Sequence, residues 1–148
     1  MIERMMRFEV PGRPRGKGRP RFFRMGKGVG TYNDDRTAAY ENLIRLAFTK
    51  AYPDHVPASK AMICLSFHAI FPIPKSASKA KREAMISGRV RPTSKPDLKN
   101  ILAAVEDGLN GVAYLDDAQI VDFREIGKWY GERPRLVVDI EVMREGQA

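Results

Sequence analysis

The stretch from Lys95 to Val121 reads KPDLKNILAAVEDGLNGVAYLDDAQIV. Ser94 just before it, with Asp97 three residues on, has the form of a capping box, and Pro96 suits a first helical turn. Leu98, Ile101, Leu102, Val105 and Leu109 recur on one helical face. The spacing predicts a helix over about 95–109, and Asn110-Gly111 predicts its stop. Five carboxylates surround this apolar spine: Asp97 at its start, Glu106 and Asp107 near its end, and the pair Asp116-Asp117 in the turn beyond. Such a helix is about 20 Å long, and roughly six extended residues retrace that length. If the chain folds back at Asn110-Gly111, Asp116 or Asp117 can approach Asp97. Two carboxylates meeting there would suit magnesium (Mg²⁺), which prefers oxygen ligands and keeps several waters. Beside a scissile phosphate such an ion activates water and offsets charge on the leaving oxygen. The other reading is a plain helix cap and a plain acidic turn, since acids are common at turns.

The segments on either side set the fold class. MMRFEV at 5–10 reads as a first strand. A helix is expected at about 35–51, with Asn33, Asp34 and Asp35 as caps. Tyr40, Leu43, Ile44, Ala47, Phe48 and Ala51 form its apolar face, and Pro53 stops it. AMICLSFHAIF at 61–71 alternates as a strand, with Ile63, Leu65, Phe67, Ala69 and Phe71 on one side. A short basic helix is expected within 76–87. Strands follow at about 119–130 and 134–143, and the YGERP turn between them predicts an antiparallel hairpin. The sum is an α/β (α+β) chain. It forms a single domain over 1–148, with a mixed sheet of about four strands and helices packed on it. The expected core holds Phe8, Leu43, Ile44, Phe48, Leu65, Phe67, Leu102, Val105, Leu109, Val137 and Ile140.

The 148-residue chain carries a formal charge of +8. That surplus points to a polyanionic partner, nucleic acid first and acidic membrane second. No apolar run reaches the length of a membrane span, and the start MIERMMRFEV lacks a signal-peptide core. A cytoplasmic, DNA-associated protein is expected, with no organic cofactor. Cys64 is the only cysteine and lies in an apolar run, so a buried inert thiol is expected. His55 and His68 read as structural. PGRPRGKGRPRFFRMGKGVG at 11–30 contains no acid and reads as a long basic loop at about 12–31. Its cations are Arg13, Arg15, Lys17, Arg19, Arg21, Arg24 and Lys27. With Lys79, Lys81, Arg82 and Lys95 they form the set expected to meet a polyanionic partner. Phe22 and Phe23 inside the loop could stack on an opened base or simply pack. A widespread nuclease signature, PD followed by (D/E)-x-K, is half met by Pro96-Asp97. Glu125-Ile126-Gly127-Lys128 misses the second half by one residue and reads as coincidence.

KPDLKNILAAVEDGLNGVAYLDDAQIVDFREIGKWY resembles the RusA family of Holliday-junction resolvases, common in prophages. That family reads K-P-D-x-D-N-x-x-K, then D-x-L-N-G, D-D-x-Q-I and K-x-Y. PGRPRGKGRPR, TYNDDRTAAYE and FPIPKSASKAKREAMISGRVRPTSKPD extend the likeness over about residues 7–143. The resemblance implies a compact homodimer that makes paired, Mg²⁺-dependent nicks in four-way DNA junctions during recombination and repair. Carried over, it makes Asp97, Asp107, Asp116 and Asp117 the catalytic acids, Asp117 the better candidate of the last pair, with Asp97, Asp116 and Asp117 as metal ligands and the basic loop at 13–27, with Lys79, Lys81, Arg82 and Lys95, as DNA-contacting.

Two positions depart from that pattern. The second acid is Lys99 here, and the lysine expected four residues later is Ala103. Positions 99 and 103 share a helix face, so the Lys99 ammonium could stand in for the missing lysine, though never for a carboxylate. A single positive charge about 5 Å from a divalent ion repels it by roughly 7 kcal/mol at an effective dielectric of about 20, an upper bound for a flexible side chain. A third of that weakens Mg²⁺ binding more than about tenfold. Three readings follow: an active resolvase with a rearranged site, a junction-binding protein with little or no cleavage, or a deliberately altered chain. A basic RNA-binding protein is the distant alternative, distinguished by showing no preference for four-way DNA.

Overall fold

The computed structural model describes residues 2–18, 21–32 and 35–143. Its centre is strand β4 (Met62–Pro72), where Ile63, Leu65, Phe67, Ala69 and Phe71 are all buried on the side the alternation predicts. β4 lies in a four-stranded mixed sheet with β1 (Ile2–Pro11), β5 (Ile120–Gly131) and β6 (Arg135–Met143), in the order β1-β6-β4-β5. β6 is antiparallel to β1 and β4, whereas β5 runs parallel to β4. A parallel pair requires a long crossover. Here it carries α2 (Lys79–Ile86) and α3 (Leu98–Leu109), and it ends in a 3-10 turn at Asp117–Gln119 that feeds β5.

Helix α1 (Asp35–Ala51) packs beside α3 on one face of the sheet. Gly108 allows the approach: a Cβ there would lie 3.0 Å from the Glu41 carbonyl oxygen and from Ile44. Tyr40, Ile44 and Phe48 of α1 join Ile101, Val105 and Leu109 of α3 in one core with Phe8, Leu65, Phe67 and Ile140. The opposite sheet face is polar, with ion pairs Arg7–Asp139 and Arg124–Glu141, each at 2.6 Å. Cys64 is buried, and burial raises its thiol pKa. His55 binds the Ala113 carbonyl and His68 faces Glu125.

Several expectations are corrected. The two last strands form no hairpin, because β6 inserts between β1 and β4 while β5 takes the outer edge. The burial pattern gives the reason. Leu136, Val138 and Ile140 of β6 are buried, whereas Val121 to Glu125 of β5 are exposed and largely charged, as edge strands are. Val137 is only partly buried, since it and Ile140 differ in parity and cannot share a strand face. Leu43 is 39% exposed, because Thr37, Tyr40, Ile44 and Phe48 define the inward stripe of α1. Leu102 packs at the core margin. α3 starts at Leu98: its N-cap is Asp97, not Ser94, in extended backbone geometry (φ −81, ψ 164). The basic loop contains a β-hairpin, β2 (Arg21–Met25) with β3 (Gly28–Tyr32), turned by Gly26 (φ +56) and Lys27. Asn33 and Asp34, expected as caps of α1, lie outside the described residues.

Candidate active site

The two ends of α3 carry different chemistry. At its start the Asp97 carboxylate accepts the Asn100 backbone N–H at 2.8 Å and otherwise remains exposed. Lys128, from β5, donates to the Ser94 carbonyl oxygen nearby. Burial lowers the Lys128 pKa, and the charge of Asp97 partly opposes that. Asp97 thus has a basic neighbour that the sequence reading dismissed with the Glu125–Lys128 coincidence. Lys99 is exposed on the first turn of α3.

At the other end the acids gather. Gly111 (φ +82) turns the chain, and the buried Tyr114 hydroxyl donates to the Glu106 carbonyl oxygen at 2.8 Å. Gln119 then fixes the aspartate pair. Its Oε1 accepts the backbone N–H groups of Leu115 (2.9 Å) and Asp116 (3.1 Å). Its Nε2 donates to the carbonyls of Ala58 and Ala61, both at 3.0 Å. The Asp117 pKa is raised by a hydrogen bond with Asp116, then by burial and by the charges of Asp116 and Asp107. Burial first, then Asp117 and Asp107, raise that of Glu106. Burial first, then Asp107, raise that of Glu41 on α1. The four-residue set Glu106, Asp107, Asp116 and Asp117, with Glu41 behind it, therefore behaves as one electrostatic group.

A segment of the basic loop is laid along this helix. A Cβ on Gly16 would lie 2.8 Å from Asn100 Cβ and 2.9 Å from Pro96 Cβ, so only glycine permits the approach. Lys17 N–H donates to the Asn100 carbonyl oxygen at 2.9 Å, and Gly18 N–H to Thr37 Oγ1 at 2.9 Å. The Lys17 ammonium then forms an ion pair with Asp107, a hydrogen bond that raises the lysine pKa. Arg45 of α1 donates to the carbonyls of Asp107, Gly108 and Asn110 and so satisfies the C-terminal end of α3.

Asp107 and Asp116 stand close enough to Asp117 for their charges to raise its pKa. Asp97 stands ten residues before Asp107 on the helix, about 15 Å along its axis. Among the described residues no three acidic, histidine or cysteine side chains converge closely enough to hold a metal ion. Of the expected DNA-contacting cations, Arg13, Arg15, Arg24, Lys27, Lys79, Lys81 and Lys95 are exposed. Arg82 pairs with Glu132 at 3.4 Å, Lys17 is engaged by Asp107, and Arg21 belongs to β2. Arg19 lies outside the described residues. Glu41, Arg45, Gln119 and Lys128 escaped the sequence reading. The Q of D-D-x-Q-I and the K of K-x-Y were quoted there without a role. Glu41 and Arg45 lie one helical turn apart, a spacing that in sequence does not differ from an ordinary solvated face.

The family model described as "Endodeoxyribonuclease RusA" matches residues 11–141. The chain is also similar to "Uncharacterized protein YqaN" of Bacillus subtilis (strain 168). The two are 33% identical over 136 residues, covering 91% of this chain and 94% of that protein.

Proposed function

The chain belongs to the RusA endodeoxyribonuclease family, and from that premise we propose that it binds four-way DNA junctions and hydrolyses phosphodiesters within them. The observation that carries the reading is the course of Gly16-Lys17-Gly18. Two polar contacts to α3 and one to Thr37 of α1 pin this acid-free basic segment between Asp97 and the Asp107–Asp116–Asp117 group. A phosphate drawn to the arginines around it is thereby delivered to carboxylates. This is the juxtaposition that phosphodiester hydrolysis requires, since carboxylates alone repel the substrate.

The donor set suits magnesium. Asp117 and Glu106 have their proton affinity raised by neighbouring carboxylates although Lys17 already pairs with Asp107, and Mg²⁺ needs only one or two carboxylates because it keeps its waters. Asp116 and Asp117 would hold it, with Asp107 beside them, while Asp97, the further ligand that the family pattern implies, stands about 15 Å from Asp107 along α3 and would face the substrate from the other end of the helix. Bound there, the ion would supply an activated water and offset charge on the leaving oxygen. Lys17 and Lys128 are the chain's own cations at the two ends of the site. They are placed to orient the phosphate.

Lys99 favours a second reading, junction binding with weak cleavage, because it puts a cation on the first turn of the acid-bearing helix. The test is nicking of a synthetic mobile four-way junction in Mg²⁺, resolved on a denaturing gel. The native chain should bind tightly and cut slowly, and Lys99→Asp with Ala103→Lys should cut faster. Full cleavage by the native chain would remove the inhibitory role of Lys99. Binding without cleavage in both proteins would establish the second reading. Equal affinity for duplex DNA or RNA would defeat both.

A further inference from the structure

Away from the carboxylates, two cavities of about 320 and 310 Å³ adjoin the start of α1, and both are walled by Arg15 and Arg36. The first also has Arg13 and Pro96 in its wall, next to Asp97, and the second has Tyr40. Among the described residues neither wall contains an acid. Two arginines sharing a wall present planar forks suited to an oxyanion. Tyr40 gives an independent sign. Its side chain is 5% exposed, and among the described residues its hydroxyl makes no hydrogen bond of ordinary geometry. Burial pushes that hydroxyl up to about 12, and its polar neighbour is the Arg15 backbone, which partly opposes the shift. It therefore remains a proton donor at working pH, lacking an acceptor, and a buried donor without an acceptor is costly. An anion's oxygen is the acceptor it lacks.

We propose that Arg15 and Arg36, over Tyr40, form a subsite for one backbone phosphate of the DNA, separate from the phosphate that is cut. The inference rests on the DNA-binding reading above and adds Arg36 and Tyr40 to it. The adjoining wall with Arg13 and Pro96 would lead the strand from this subsite toward Asp97.

Fluorescence anisotropy of a labelled four-way junction against salt tests it, with native protein, Arg36→Gln and Tyr40→Phe. Arg36→Gln should weaken binding on the order of tenfold and reduce the slope of log K against log salt by about 1. Tyr40→Phe should weaken binding about threefold with the slope unchanged, since it removes a neutral donor. Its melting temperature should hardly change, because the hydroxyl has no acceptor to lose and only a weak contact with the Arg15 backbone. Native affinity and slope in Arg36→Gln would overturn the proposal, as would native affinity in Tyr40→Phe. If inorganic phosphate raises the native melting temperature through Arg36 while junction binding ignores Arg36, the site serves a free anion and the DNA assignment falls. If the native chain binds no DNA, the nuclease reading fails by itself. Arg36-dependent stabilisation by inorganic phosphate would then sustain the anion site, and its absence would end it.

Discussion

Gln119 shows how much of the site rests on a residue that does no chemistry. Its amide makes four hydrogen bonds that tie the Asp116–Asp117 turn to the segment before β4. Gln119→Ala should cost about 2–3 kcal/mol of stability, read by urea unfolding, and lower cleavage with it. Gln119→Glu should be no better, because a carboxylate cannot donate to the Ala58 and Ala61 carbonyls. Lys17 is the reverse case. Its ion pair is only partly exposed (27% and 30% of the two side chains), so Lys17→Met should cost about 1 kcal/mol, yet cleavage should fall on the order of tenfold or more. Equal losses in folding and cleavage would mean that Lys17 is merely structural. Glu106 offers a pH test. Its native pKa is raised above the ordinary 4.5. Its contribution to stability is therefore full below that value and lost as pH rises through the native one. Glu106→Gln should leave melting unchanged near pH 4 and raise it at pH 7, measured by calorimetry. The acids were plain in the sequence because their spacing around α3 is local. The partners of Asp107 and Asp97, Lys17 and Lys128, come from 90 and 31 residues away, and no local pattern encodes such a meeting.

The β2–β3 hairpin is an element apart, a two-stranded sheet that pairs with no other strand. It carries Arg24 and Lys27, with Phe23, Met25 and Val29 exposed. A lone hairpin is marginally stable in water, so the body of the fold should not depend on it. Replacing residues 21–32 by a short Gly-Ser linker should shift the melting temperature by only about 1–2 °C. It should also flatten the salt dependence of junction binding by about 2–3, one for each lost phosphate contact. An unchanged slope would show that the hairpin touches no DNA. This element was legible and was passed over. Gly26-Lys27 between FFRM and GVGTY is a two-residue turn with glycine first, a hairpin signal hidden by the density of glycine and arginine around it. Helix α1 and strand β4 were readable because one period runs through each without interruption. The order β6-β4-β5 was not. YGERP reports only that the chain reverses. Which strand takes the centre is decided by Leu136, Val138 and Ile140 being buried between two neighbours, a competition that spans the whole sheet.

At the scale of the molecule, one chain of 16.7 kDa presents one group of acids. Resolving a four-way junction takes two cuts at symmetric places, so two such groups must sit in one particle. A two-fold homodimer is the simplest assembly that supplies them. Light scattering should therefore give roughly 33 kDa at micromolar concentration. A stronger test separates pairing from mere association. Asp117→Asn keeps the size and hydrogen bonding of the side chain but removes its charge. Mixed in excess with native protein, it should leave most of the particles that keep any working site with only one. On a supercoiled plasmid extruding a cruciform, native protein should make two nicks within the lifetime of one complex and release linear product. The mixture should instead accumulate nicked circles, with the linear fraction falling as the square of the native share while total nicking falls only in proportion. A linear fraction that simply tracks the native share would mean that each cut is made independently, and the paired mechanism would then be wrong even if the chain proves dimeric.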